Sequence, residues 1–348
     1  AWWEYSYVGE PNKLGARFSA NADALALIRT DGQDTNRLSA SGGWHLPYTS
    51  SGGQVVTLDA SIRGDGYYAR QQLEDPYDLT SEKSNNASGR IIPSLSLKWN
   101  YPFVRHSGAM RQLIEPVAEV VWSESLGSKS TPNEDSLSFE FDDTNLFGSN
   151  RFAGLDEVEE GGRINYGVNF GLYGESGGYT TLLLGQSIHT DNSTSFDEGT
   201  GLEDQLSDFV TRLEIQPTDM FKLTQRMRID HENLSLARHE IDFFIGSEEN
   251  WFNLGYLNLR DDLSSTGIDK RDEISIAGKV KMTKFWSSYG SYTRDLEGDG
   301  GSIDAKLGME YLDECFGFAL EVKRQFTRNG DIDPSTTVGL KIRLLPFN

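Results

Sequence analysis

The 348-residue chain is long enough for one large all-β domain or two ordinary ones, and no stretch approaches the roughly 18 consecutive apolar residues of a membrane-crossing helix. A formal net charge of −21 argues against a nucleic-acid partner, which needs a basic patch, and against simple docking on an anionic membrane surface. Cys315 is the single cysteine, which excludes an internal disulfide and any multi-cysteine metal site.

The chain opens on Ala1, Trp2, Trp3, Glu4 and Tyr5, aromatic and strand-like with no visible leader, which fits either a removed leader or a fragment of a longer protein, and the abrupt start favours the fragment. Strand-and-turn signals then mark about sixteen strands, near 16–28, 38–48, 54–69, 90–99, 113–124, 163–173, 179–190, 206–216, 219–230, 234–246, 250–260, 272–283, 285–296, 301–312, 315–326 and 336–347. Pro93 and Pro116 fall inside two of them, where a missing ladder donor marks either a bulge or a weakened seam. Alternation is clearest toward the C-terminus. Phe221, Leu223, Met227 and Ile229 alternate with Lys222, Thr224, Arg226 and Arg228, and Phe316, Phe318, Leu320 and Val322 with Gly317, Ala319, Glu321 and Lys323. Val338, Leu340, Ile342 and Leu344 share a face opposite Thr337, Gly339, Lys341 and Arg343. A helix scrambles such faces, so these segments read as strands.

Hydrophobic residues at 37% and charged residues at 24% fit a soluble sandwich and a membrane barrel equally, because only alternate barrel residues face lipid. Strand length separates the two. Sandwich strands run about five or six residues, whereas these alternating runs last roughly ten, the length of a transmembrane strand. Connections also alternate, short at 217–219, 248–250, 283–284 and 313–314, and longer and polar at 191–204, 261–271, 295–301 and 327–334. The expected fold is therefore all-β, an antiparallel transmembrane β-barrel, treated as one domain over 1–348. A final strand ending on the short-turn rim places the C-terminus in the periplasm, with Phe347 in an interfacial aromatic girdle.

The segment holding Pro132, Asn133, Glu134, Asp135, Ser136, Phe139, Phe141, Asp142, Asn145, Leu146 and Phe147 is distinctive, and it continues through Arg151, Phe152 and Gly154. It resembles the C-terminal barrel domain of the lipopolysaccharide-assembly family LptD, the organic solvent tolerance proteins. The likeness covers most of the chain and is most specific between 90 and 170. The resemblance implies a bacterial outer-membrane translocon that inserts lipopolysaccharide into the outer leaflet. It implies about twenty-six strands in the whole barrel, a plug lipoprotein LptE, and a periplasmic jellyroll fed by the bridge protein LptA. The present chain then lacks the jellyroll and the early strands. Family members also carry cysteine at the place of Cys315, disulfide-bonded to an N-terminal cysteine; here Glu314 precedes it, which leaves at most one such bond. From the residues alone, a partner outside this chain and an unpaired small residue both stay open for Cys315.

Nothing in the sequence calls for an enzyme, a cofactor or a resident metal. His45, His106, His189, His231 and His239 lack metal-ligand spacing, and Ser187, His189 and Asp191 form a trio that arises readily by chance. Export of a charged, hydrated sugar chain needs a polar path, for which Lys222, Arg226, Arg228, Arg238, Glu240, Asp242, Glu273, Lys279, Lys281, Glu310, Lys341 and Arg343 share the inward parity. These charges equally suit hydration of the interior or contact with the plug. Acyl chains need a lateral exit, for which the last strand, holding Val338, Leu340, Ile342, Leu344 and Phe347, supplies one side. A porin or uptake channel is the competing function.

Overall fold

The structure, a computed structural model, describes residues 1–30, 32–73, 83–128, 131–136, 140–191, 196–260, 270–298, 300–327 and 333–344. Phe139 and Phe347 lie outside the described residues. The regular elements are strands throughout: β1 (Trp2–Val8), β2 (Arg17–Leu27), β3 (Asp34–Thr49), β4 (Val55–Leu73), β5 (Lys83–Asn100), β6 (Phe103–Ser107), β7 (Met110–Ser123), β8 (Leu126–Gly127), β9 (Gly161–Gly174), β10 (Tyr179–His189), β11 (Phe209–Thr218), β12 (Phe221–Ile229), β13 (Leu236–Gly246), β14 (Trp251–Leu259), β15 (Arg271–Lys281), β16 (Trp286–Asp295), β17 (Gly301–Leu312), β18 (Phe316–Gln325) and β19 (Ser335–Leu344). No described helix is long and apolar enough to cross a membrane.

All sixteen expected strands are present, and three more bring the count among the described residues to nineteen. β6 and β8 are too short to show a period, and β1 has aromatic residues on both faces, which hides its alternation. The chain divides into two compact units: unit 1 is residues 1–103, 115–168 and 185–208, and unit 2 is residues 104–114, 169–184 and 209–348.

In unit 1, β1 to β5 form an antiparallel meander, and β5 then pairs with β7 over 94–100 and with β8 at Arg90 and Ile91. Pro93 sits where β5 changes partner from β7 to β8, opposite Ile62 with no register shift, so it marks no bulge against β4. Its carbonyl accepts the Glu124 N–H at 3.3 Å, and its missing donor falls where no ladder bond is required. Pro116 likewise sits beside the end of the β5–β7 register, its carbonyl accepting the Tyr101 N–H at 3.2 Å.

In unit 2, β11 to β19 form a second meander. Turns at 219–220, 247–250, 282–285 and 313–315 join strand ends along one edge, and the connections leaving β12, β14, β16 and β18 start from the other. Short turns on one rim and longer loops on the other follow the expected spacing.

Burial is inverted relative to a water-soluble sheet. Leu340 and Ile342 are 58% and 64% exposed, while Arg163 and Arg228 are each 1% exposed. Cross-strand partners point to the same face, so Leu307, Val322 and Val338 lie in one exposed apolar row, and Met309, Leu320 and Leu340 in the next. Unit 1 repeats this with Leu95 beside Trp122 and Leu97 beside Val120. Contiguous apolar surface of this extent is costly in water and favourable in lipid.

Candidate functional site: a loop clamped on the polar face

The polar face of unit 1 is covered by its own chain. The loop between β8 and β9 lies against it and is held by two clusters of buried charge.

The first cluster centres on Arg37 of β3. One terminal nitrogen donates to Asp135 at 2.6 Å and Asp156 at 2.7 Å, and the other to Asp23 of β2 at 2.9 Å. Asp156 in turn accepts the backbone N–H groups of Glu134 (2.7 Å) and Asp135 (3.2 Å), and Asp135 accepts those of Leu155 (3.0 Å) and Asp156 (3.1 Å). The two arms of the loop are thus tied by reciprocal carboxylate-to-backbone bonds. Arg63 and Arg90 each donate to the Leu155 carbonyl at 2.7 Å, and Arg90 is held by Asp65 at 2.8 Å. Glu134 reaches Arg29 at 2.6 Å and accepts from Thr35 at 2.5 Å. Gly154 is required here: its φ is +73°, and a Cβ would stand 2.3 Å from the Asp135 carboxylate.

The second cluster centres on Glu159, which faces Arg151 (3.1 Å), Arg163 (3.3 Å) and His189 (3.0 Å). Arg151 also donates to Asn165 (2.6 Å) and Ser187 (2.7 Å), and Asn165 donates to Glu119 at 2.9 Å. Phe141 and Leu146 are fully buried between these clusters, with the Arg151 guanidinium 5.2 Å from the Phe141 ring centroid. Leu146 fits against β10 because residue 185 is glycine: a Cβ there would meet its methyl at 2.3 Å.

Every described motif residue serves this docking or the loop's own shape. Asn133 and Ser136 exchange bonds of 2.8 and 3.0 Å, and Asn145 accepts from the Asp142 N–H at 3.0 Å. Pro132 is buried, Phe147 stacks under Lys98 at 4.6 Å, and Phe152 stacks on Phe196 at 4.7 Å.

Electrostatics follow the contacts. Burial pushes the Glu134 and Asp135 carboxyls upward, but Arg29 and Thr35 for the first, and backbone N–H groups with Arg37 for the second, hold both below the usual range. Glu159 is likewise held down, against burial, by His189 and the two arginines. Burial and neighbouring acids push Glu157 up.

Beside the loop lies a cavity of about 800 Å³, lined by Trp2, Ser19, Asn21, Ser39, Ser41, Ser61, Ser94, Arg37, Arg63 and the loop's Asp135 and Asn150. The wall mixes these hydroxyls and amides with the charges of Glu4, Asp23 and Glu134 and with the apolar Leu25, Leu27, Ile92 and Val158. The Ser187 trio assembles no hydrolase: Ser187 donates to Asn165 at 2.7 Å, and His189 faces Glu159 instead.

In unit 2 the ladder puts the expected inward residues on one face. Lys222, Asp242 and Glu240 follow from the β12–β13 register, together with Arg226, Arg228 and Arg238. Lys279 and Lys281 lie opposite Tyr289 and Ser287, and Glu273 opposite Asp295. Glu310, Lys341 and Arg343 complete the face through β17 to β19. Several are paired: Lys222 with Glu214 (3.2 Å), Arg226 and Arg238 with Glu240 (2.8 Å each), Asp242 with Asn253 (3.1 Å), and Lys279 with Glu310 (3.0 Å). Cys315 is free and exposed in the turn before β18, where Asp313 accepts its N–H at 2.9 Å.

Asp156, Arg163 and Asn165 lay within the family-like segment without an assigned role, whereas Arg37, Asp23, Asp65, Arg90 and Glu159 were not singled out in the sequence.

Comparisons with known proteins place the chain in a family. The family model "LptD: LPS transport system D" matches residues 3–286. The LPS-assembly protein LptD of Aeromonas salmonicida is 24% identical over 340 residues, covering 90% of this chain and 41% of that protein. The LPS-assembly protein LptD of Burkholderia lata is 22% identical over 357 residues, covering 96% and 43%. The chain thus spans about two-fifths of the length of these relatives. Among solved structures, the copper transporter OprC superposes with a TM-score of 0.41 at 11% identity, covering 97% of this chain and 62% of that one. With most of its length matched by the family model, and with the family's loop motif docked on a polar β-face, the chain belongs to the LptD family of outer-membrane LPS-transport proteins.

Proposed function

We propose that the chain forms part of the wall of an outer-membrane translocon that inserts lipopolysaccharide into the outer leaflet through a polar lumen and a lateral seam. The observation that carries this reading is the division of the sheet into an exposed apolar face and a polar face roofed by a clamped loop. Lipid covers the first face, and hydrated sugar passes along the second. Both units belong to one barrel domain, whose C-terminus faces the periplasm. β19, exposed at every residue but Gly339, supplies one side of the seam, with Val338, Leu340, Ile342 and Leu344 toward lipid. In the whole protein the lumen also receives the plug lipoprotein LptE, and a periplasmic domain takes lipopolysaccharide from LptA. The inward charges serve substrate and plug alike, and transport draws on no cofactor or catalytic group of this chain.

Depletion of the full-length protein tests the reading. Lipopolysaccharide is expected to disappear from the cell surface and accumulate behind the outer membrane. Unchanged surface lipopolysaccharide, with a loss of small-solute uptake, would establish a channel instead.

A further inference from the structure

The polar face of β14 to β19 encloses a second cavity of about 370 Å³, wholly within unit 2. Its floor is low, built from Ala277, Gly317 and Ala319, and four cations stand around it: Lys279, Lys306, Lys341 and Arg343. Against them stand only Glu310 and Glu321, so the lining is net positive in a chain of net charge −21. Both acids are engaged. Glu310 is 3.0 Å from Lys279, and Glu321 accepts the Tyr289 hydroxyl at 3.1 Å. The Lys306 ammonium lies 5.8 Å from the Tyr289 ring centroid, and Lys323 stands directly opposite it in the ladder. Lys341 and Arg343 have no acidic partner among the described residues, and their cross-strand neighbours are Ala319 and Gly317. Small neighbours leave both heads free to turn into the cavity.

Four cations on one face outnumber the two acids beside them, both already engaged, so they repel one another, and a bound anion relieves that cost. We propose that this pocket is a phosphate-binding site for the phosphorylated sugar headgroup of the transported glycolipid. The Arg343 guanidinium offers the planar fork that grips two phosphate oxygens, and the lysines add point charges around it. A compact oxyanion fits this confined, small-floored space better than an extended acidic protein surface does. The assignment of the source as a glycolipid rests on the transport reading; the phosphate chemistry does not.

The test is titration of detergent-solubilised full-length protein with glucosamine-1-phosphate, glucosamine and inorganic phosphate. Glucosamine-1-phosphate is expected to bind, and glucosamine not. Arg343→Gln and Lys341→Gln are each expected to weaken binding by about tenfold or more, and Lys284→Gln, in a turn, to leave it unchanged. Folding of each variant is verified by its heat-dependent migration on gels. Equal affinity for inorganic phosphate overturns the headgroup as source. Undiminished binding in both variants, or binding only to an acidic protein, overturns the site. Failure of the depletion experiment with the binding pattern intact overturns transport and leaves a phosphate site standing.

Discussion

At the scale of single residues, docking of the loop depends on charges that have left water together. Asp156 is 1% exposed and Arg37 5% exposed, so neither has solvent to fall back on. Arg37→Met leaves Asp23, Asp135 and Asp156 facing one another unpaired, and breaking buried pairs of this kind costs about 3–5 kcal/mol. The expected outcome is a protein that still migrates as a folded barrel but whose 131–160 loop is cleaved by added protease; protection equal to wild type would refute the clamp. The acids also give docking a pH dependence. Glu134 and Asp135 have folded values below their unfolded ones, so their contribution is present above the usual carboxylate range, about pH 4, and is lost as pH falls through the folded values. Glu157 works in the opposite direction, because its protonation relieves a buried charge. Loop protection is therefore expected to hold from pH 7 to 5 and to weaken progressively as pH falls below the usual carboxylate range, about pH 4, as read by an acid-tolerant protease; protection that does not fall at all on acidification to about pH 2 would contradict it.

At the scale of elements, parity decides the environment of each side chain. Leu320 lies in an exposed apolar row with Met309 and Leu340, whereas Thr337 lies opposite Lys323 on the polar face. Leu320→Arg is expected to destabilise the protein in lipid vesicles by about 2–4 kcal/mol if it sits near the bilayer midplane. Thr337→Gln is expected to change it by less than about 0.5 kcal/mol. Denaturant titration of folding into vesicles measures both, and equal costs would mean that the faces have been assigned wrongly. This periodicity was readable in the residues, which is why the strands from β9 onward were placed within a few positions. β1 was strand-like in composition but went uncounted because Trp3, Tyr5 and Tyr7 on one face are matched by Trp2 and Val8 on the other. Pro93 was legible as a ladder defect, but its place at a change of partner depends on β7 and β8 sharing one neighbour.

At the scale of the whole molecule, Cys315 sits exposed in the turn 313–315, with its thiol free in this chain. If a cysteine elsewhere in the full protein bonds to it, wild type runs with altered mobility on non-reducing gels and Cys315→Ser does not. Absence of any shift in wild type would remove the disulfide from the account. The family motif pointed to the loop that matters, yet nothing in Asn133 to Gly154 says which strands receive it. Arg37 is about a hundred residues from Asp135 and Asp156, and a single sequence carries no record of such partners. Period-two alternation, turn spacing and the loop motif were local properties, so the sequence by itself determined an antiparallel wall, its two faces and its family. Which charges are buried, where the loop docks and which cations are left without acids depended on side chains from distant strands meeting out of water. Only the tertiary structure decided those, because desolvation is set by what covers a residue and not by its neighbours in the chain.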